Sequence, residues 1–277
     1  MRFDWYAATV PVAPTLLIDA LRSGLEVSET SDGPGRHGYA QRLDLVGSTG
    51  ELAATIYLPR PDSPTHPHAY ASGDRTEAFV YLVRSCFPEH RVTRCDSCYD
   101  VEEKGAFDRI VQTVRDLAKG LGLQTSVAGD WFDERLGRTL YVGAPSSPVR
   151  LRVYEKGKQM AQGLPDNLRL AISPDWVRVE LQVRPQKDAK GTAAAASPEA
   201  VWGFSAWSQQ AASHLLQLDV PRIEVARVLP ADDERAYRFM VRQYGPLLRR
   251  LASAQGWEGL LWTLRDDVEE DGRRRRA

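Results

Sequence analysis

The 277-residue chain has no run of 18 or more apolar residues, so nothing in it is expected to span a membrane. Its opening, Met1-Arg2-Phe3-Asp4, lacks the basic-then-apolar build of a secretory leader and runs straight into a strand-like pattern. Cysteine is scarce: Cys86, Cys95 and Cys98 are an odd number, too few for a disulfide framework, and they fit a reducing cytoplasm. Cys95-x-x-Cys98 has no second pair to complete a zinc site, and strand alternation points its two sulfurs apart. Net charge is also small, −1 with a pI near 6.5, so no global field attracts a polyanion. No internal repeat and no phosphate-cradling glycine loop is visible.

Charge is instead concentrated locally. Residues 135–158 carry Arg135, Arg138, Arg150, Arg152, Lys156 and Lys158 against Glu155 alone, six minus one, or +5. Val149 to Lys158 reads as one strand. Leu151 and Val153 point to a core, while Arg150, Arg152, Tyr154 and Lys156 point the other way. A tyrosine among cations on one face suits chemistry on a phosphate, because arginine and lysine bind its oxygens and offset developing charge. The alternative is an amphipathic strand with a solvated basic face.

Two further strands carry carboxylates. In Arg91–Val101, alternation puts Val92, Arg94, Asp96, Cys98 and Asp100 on one face. Asp96 and Asp100 offer the oxygen ligands that Mg²⁺ or Mn²⁺ prefers; equally, Asp96 could pair with a neighbouring arginine and Asp100 could cap the following turn. Asp175–Arg184 has the cleanest alternation, with Val177, Val179, Leu181 and Val183 inward and Arg178, Glu180, Gln182 and Arg184 outward. His66-Pro67-His68 resembles the metal-binding pair of one large class of DNA-nicking enzymes. Its proline spacer resists central strand pairing, and a loop is expected there.

The pattern predicts an α+β fold: a central antiparallel β-sheet carrying 91–101, 149–156 and 176–184, helices packed on one face, and a helical C-terminal part. Composition makes 28–38 a loop and 187–196 a linker, and Gly245-Pro246 is expected to break the last long helix.

Three stretches together resemble the trans-acting rolling-circle replication initiators of bacterial plasmids, filamentous phages and some integrative elements. They are Arg91-Val92-Thr93-Arg94-Cys95-Asp96 with Asp100; Gly137 to Gly143 leading to Arg152-Val153-Tyr154-Glu155-Lys156-Gly157-Lys158; and Trp176-Val177-Arg178-Val179-Glu180. The resemblance spans about residues 35–210. It implies a DNA strand nickase that forms a 5′-phosphotyrosine at an origin and leaves a 3′-OH primer. On that likeness Tyr154 is the nucleophile, Asp96, Asp100 and Glu180 hold Mg²⁺ or Mn²⁺, and Lys156 favours the phenolate. Arg150 and Arg152 would hold phosphates, with Arg138, Lys158 and Arg178 as further DNA contacts. The run Cys95-Asp96-Ser97-Cys98-Tyr99 departs from the more aliphatic pattern of the family.

The implied partners are origin DNA, single-stranded or as a supercoiled duplex, a host helicase and polymerase, and a second copy in a homodimer, with the cytoplasm of a bacterial host as the setting. The expected division is a nicking domain over 1–190, a helical region over 191–265 and a disordered charged tail over 266–277. Two other readings compete: a non-catalytic DNA-binding regulator on the same scaffold, and a nickase using His66 and His68.

Overall fold

The computed structural model describes residues 1–132, 136–223 and 232–274, so Arg135 of the basic patch lies outside it. In chain order the elements are β1 (Arg2–Thr9), α1 (Pro14–Gly24), β2 (Val27–Pro34), β3 (Gln41–Gly47), β4 (Leu52–Leu58), β5 (His68–Ser72) and α2 (Thr76–Cys86). Then follow β6 (Arg91–Glu102), α3 (Ala106–Gly120), β7 (Thr125–Gly129), β8 (Arg138–Val142), β9 (Val149–Tyr154), α4 (Lys156–Ala161), α5 (Asp166–Arg169) and β10 (Trp176–Val183). After these come α6 (Ala189–Ala195), a 3₁₀ segment (Ala200–Phe204), α7 (Ala206–Leu216) and α8 (Asp232–Arg274). Contacts group the chain into two compact units, Met1–Ala226 and Arg227–Ala277.

The ten strands form one antiparallel sheet in the order β2-β3-β4-β5-β1-β6-β10-β9-β8-β7. Alternation explains why one face is covered. Tyr6, Ile56, Ala69, Leu151, Val153, Val179 and Leu181 point into the core, where they meet Leu17 and Leu21 of α1, Phe79 and Val83 of α2, Val111 and Val114 of α3, and Ala211 of α7. Each Val, Leu, Ile or Phe side chain among them contributes about 1.5–3 kcal/mol on burial. The α+β architecture with helices on one face follows from that two-faced patterning.

The order also reveals a topological repeat that the sequence hides. The first half runs β1-α1-β2-β3-β4-β5-α2 with sheet order β2-β3-β4-β5-β1; the second runs β6-α3-β7-β8-β9-β10-α6 with sheet order β7-β8-β9-β10-β6. The halves meet at β1 and β6, which run antiparallel about an approximate two-fold axis. They differ at one connection: residues 59–67 join β4 to β5 directly, whereas residues 155–175 between β9 and β10 contain α4 and α5.

Several local expectations are corrected. The basic strand ends at Tyr154, and Lys156 begins α4 instead of continuing the strand. Residues 27–34, loop-like in composition, pair with β3 as an exposed edge strand, where a covered face is not required. The expected linker over 187–196 contains α6, whose Ala193 and Ala194 are buried; together with Val201 and Trp202 they place this segment in the first unit. Helix α8 continues through Pro246 and breaks at Gly256, whose φ of 74° is one that glycine adopts without a Cβ clash. That helix reaches Arg274, across much of the tail expected to be disordered. Among the described residues no helix is long and apolar enough to cross a membrane.

Candidate active site

β10 lies between β6 and β9, and its register brings the three informative stretches together. Arg178 pairs with Asp100 on one side and Tyr154 on the other, Glu180 with Cys98 and Arg152, and Gln182 with Asp96 and Arg150. Directly paired residues share a face. Asp96, Asp100, Arg150, Arg152, Tyr154, Arg178 and Glu180 therefore line one side of the sheet, opposite the core. Val92, expected on this face, points into the core instead. The register shift between Ala7 and Ala8 adds a residue to β6 there and resets the alternation.

The centre is a buried carboxylate–phenol pair. The Tyr154 hydroxyl donates to Glu180 Oε2 at 3.3 Å, and Arg152 Nη2 donates to the same oxygen at 2.6 Å. The Arg152 guanidinium also lies 4.2 Å from the Tyr154 ring centroid. Burial raises the Tyr154 pKa and the Glu180 charge adds to this, against the opposing pull of Arg152 and Arg178. Burial likewise raises the Glu180 carboxyl; Arg152 pulls it back and the charge of Asp96 pushes it up, leaving it raised. Lys156 Nζ sits 5.8 Å from the Tyr154 ring, its own pKa lowered by burial and by repulsion from Arg178.

Asp96 is buried and held by Arg94, whose Nε donates to Oδ1 at 2.9 Å and whose Nη2 contacts Oδ2, while Gln182 Nε2 donates to Oδ2 at 3.4 Å. Asp100 is turned elsewhere. Arg178 Nε and Nη2 donate to its two oxygens at 2.7 and 2.8 Å, and Trp176 Nε1 donates to Oδ1 at 2.9 Å. Burial would raise the Asp100 carboxyl, but these bonds outweigh it and its pKa is lowered. The third nitrogen of Arg178, Nη1, donates to Asp4 Oδ1 at 2.7 Å. Asp4 reaches this face because it is the extra residue in a bulge of β1, between Phe3 and Trp5. Among the described residues Asp100 bonds Arg178 and Trp176 and caps no turn, and the arginine partner of Asp96 is Arg94.

The remaining cations divide into two groups. Arg150 stacks 4.0 Å from the Tyr141 ring, and Nε of both Arg150 and Arg152 has no hydrogen-bond partner among the described residues. Arg138 and Lys158 instead hold Glu155: Arg138 Nη2 and Lys158 Nζ donate to its Oε1 at 3.0 and 2.8 Å. Burial would raise Glu155, and these hydrogen bonds bring it below the usual range. Arg138 is buried and also meets Asp108, so the structure sets it inside the fold beneath the patch.

Asp96 and Glu180, on neighbouring strands and one face, form a pair of carboxylates suited to a hard divalent cation. Among the described residues no group of three or more His, Cys, Asp or Glu side chains converges to hold a metal. Two carboxylates are nevertheless a fit donor set, since Mg²⁺ commonly keeps several waters and takes one or two carboxylates plus substrate phosphate oxygens.

The two other metal patterns are dispersed. Cys95 faces the core and Cys98 the polar side, both as free thiols, and burial pushes Cys98 up to about 12. His66 is exposed in a connection, while His68 starts β5 and bonds Thr93 Oγ1 at 3.0 Å. β5 is four strand spacings from β9, about 19 Å.

Residues 90–194 match a family model described as replication initiation factor. The match covers 105 of the 277 residues. It contains β6 to β10, and with them Asp96, Asp100, Tyr154 and Glu180. In fold, the chain is similar to a rolling circle replication initiator protein from Geobacillus stearothermophilus, with a TM-score of 0.51 and 21% identity over 73% of this chain and 82% of that one. No curated protein matches the chain. Asp4 and Trp5, which join the polar face through the β1 bulge, lie outside the initiation-factor region. Only the antiparallel β1–β6 pairing brings them there.

Proposed function

We propose that the chain is a rolling-circle DNA replication initiator that nicks one strand at an origin, with Tyr154 as nucleophile. The observation that carries this reading is the Tyr154 hydroxyl bonded to Glu180 under the Arg152 guanidinium, inside the initiation-factor region. In the reaction the tyrosyl oxygen forms a bond to phosphorus and the bond to the 3′-oxygen breaks. The phenolic proton passes to water, the 3′-oxygen takes up a proton from water and leaves as a hydroxyl, and the 5′-phosphate stays on the protein. The bond energy is thereby kept for a later strand transfer.

Glu180 Oε2 holds the hydroxyl hydrogen and orients the phenol. A phenol of ordinary pKa near 10, raised further by burial here, needs help to ionise. Arg152 over the ring, with Lys156 beside it, supplies the positive charge that favours the phenolate once the carboxylate is occupied elsewhere. The half-buried guanidinium groups of Arg150 and Arg152, on this face beside Tyr154, are suited to phosphate oxygens. Asp96 and Glu180 would hold a Mg²⁺ or Mn²⁺ ion, which would polarise the phosphate and support the leaving oxygen. Asp100 and Asp4 position Arg178, which braces the floor of the site next to Tyr154. Arg138 and Lys158 act on DNA only through Glu155 and the placement of α4.

The test is to incubate supercoiled DNA carrying the coding region with the protein and Mn²⁺. Nicked circles with protein covalently attached are expected, and Tyr154→Phe should abolish both products while DNA binding persists. A phenylalanine variant that still attaches covalently would make another residue the nucleophile. Binding without any cleavage by the unaltered chain would favour the regulator reading.

A further inference from the structure

The same face of the sheet continues into the first half as a row of rings. Trp5 is the direct register partner of Asp96, so the row begins beside the site. Trp5 and Tyr70 stack with centroids 4.6 Å apart and planes 9° apart; Tyr70 and Tyr57 follow at 6.2 Å and 27°, and the Arg94 guanidinium lies 4.5 Å from the Trp5 ring. All three rings are half-buried on the side away from α1 and α2, whose buried residues lie in the core.

The two-fold relation gives this row a meaning. Tyr57 pairs with His68 as Tyr154 pairs with Arg178, so Tyr57 stands in the nucleophile's position. Tyr70 pairs with Ala7 of β1 as Glu180 pairs with Cys98 of β6, and Trp5 faces Asp96 across the axis. The carboxylate pair of the second half, Asp96 and Glu180, is thus replaced in the first by the stacked pair Trp5 and Tyr70. Beneath the rings, Trp5 Nε1 and Arg42 Nε are buried donors with no hydrogen-bond partner among the described residues. Aromatic rings on an open antiparallel sheet are a means by which proteins hold unpaired bases.

We infer that Trp5, Tyr70 and Tyr57 form a stacking platform for unpaired bases of single-stranded DNA, leading to Tyr154. The inference deepens the nicking reading and rests on it for the choice of ligand. The platform is sequence-tolerant, since every base has a π-face, and it holds the strand whose phosphate enters the site. Five strand spacings, about 24 Å, separate β4 from β9, so one short single strand reaches both.

The experiment measures binding of the full chain to a fluorescein-labelled oligothymidylate of about 12 nucleotides, and to an abasic strand of the same length, in EDTA. Oligothymidylate is expected to bind about tenfold more tightly than the abasic strand. The double variant Tyr57→Leu with Tyr70→Leu should lose that preference, while Tyr57→Phe with Tyr70→Phe should keep it. Equal binding of the two strands by the unaltered chain, or a preference that survives the leucine pair, overturns the platform. If the leucine pair does not fold, Trp5→Phe decides: tryptophan quenching by oligothymidylate must be smaller in it than in the unaltered chain, and an undiminished quench overturns the proposal. A chain that prefers oligothymidylate but never nicks refutes the nickase reading alone; one that nicks without preferring it refutes the platform alone.

Discussion

Arg178 offers a sharp test of how this site is built. It is 1% exposed, and its three guanidinium nitrogens donate to Asp4 and Asp100 at 2.7 to 2.8 Å. Arg178→Met keeps much of the apolar stem and removes the charge, leaving two carboxylates that must be rehydrated or protonated. Removing one member of a fully buried ion pair costs about 3–5 kcal/mol. The Asp4 and Asp100 side chains are 19% and 31% exposed, so water reaches them and the cost should fall to about 2–3 kcal/mol. For a unit of this size that corresponds to a fall in Tm of about 5–10 °C, read by thermal or urea unfolding. Arg178→Lys should recover only part of the loss, because an ammonium cannot span the two oxygens of Asp100 as a fork. In a double-mutant cycle, Asp100→Asn should cost much less in the Arg178→Met background than alone. Additive losses, or an Arg178→Met variant as stable as the unaltered chain, would refute the reasoning and return Arg178 to the pool of free DNA contacts.

Glu180→Ala should abolish metal-dependent nicking in a plasmid assay while origin binding changes little, since cationic phosphate contacts supply affinity; full cleavage at saturating Mn²⁺ would make Glu180 only an ion-pair partner of Arg152. His66→Ala combined with His68→Gln should still nick, and loss of cleavage without loss of folding would revive the histidine-pair reading. Burial holds His68 at a pKa of about 4 against an ordinary 6.5, so the folded chain favours the neutral ring. This contribution is complete above pH 6.5 and is lost as pH falls towards 4, reaching up to about 2 kcal/mol at pH 5. His68→Gln should flatten urea-unfolding stability between pH 7 and 5, and an unchanged slope would assign the effect to other groups.

The sheet was legible because a two-faced antiparallel strand writes its burial into every second residue. Trp176–Val183 alternates without interruption, and the structure places it centrally between β6 and β9. That period assigns Tyr154 and Arg152 to one face of their strand and Glu180 to one face of its own, while their meeting depends on the β9–β10 pairing. Period reading failed wherever a bulge inserted a residue. Alternation puts Val92 on the wrong face and gives no sign of Asp4, which is bonded to Arg178 from 174 positions away. No local pattern announces such a contact, because its cause is a bulge and a strand pairing that only the complete sheet supplies. The alternation runs on through the lysines after Tyr154, whereas Glu155, tied to Arg138, marks the end of the strand and the start of α4.

The duplication was invisible for a different reason, and that reason bears on function. Topology repeats when backbone pairing and the core face repeat, and both need only small or aliphatic residues at alternate positions. The open face is free of that constraint, so its side chains can diverge completely. Asp96 stands opposite Trp5, Glu180 answers to Tyr70 and Arg152 to Thr55. A carboxylate pair that orients a phenol requires charge nearby, and the second half supplies Arg94 and Arg152 for it. The ring pair of the first half needs no such compensation, and the first half also lacks the α4–α5 insertion that brings Lys156 to Tyr154. Two copies of one scaffold can thus divide the handling of a single strand between them. One is polar and insertion-bearing, as the proposed attack on a phosphate requires; the other is flat and aromatic, as the proposed platform for bases requires.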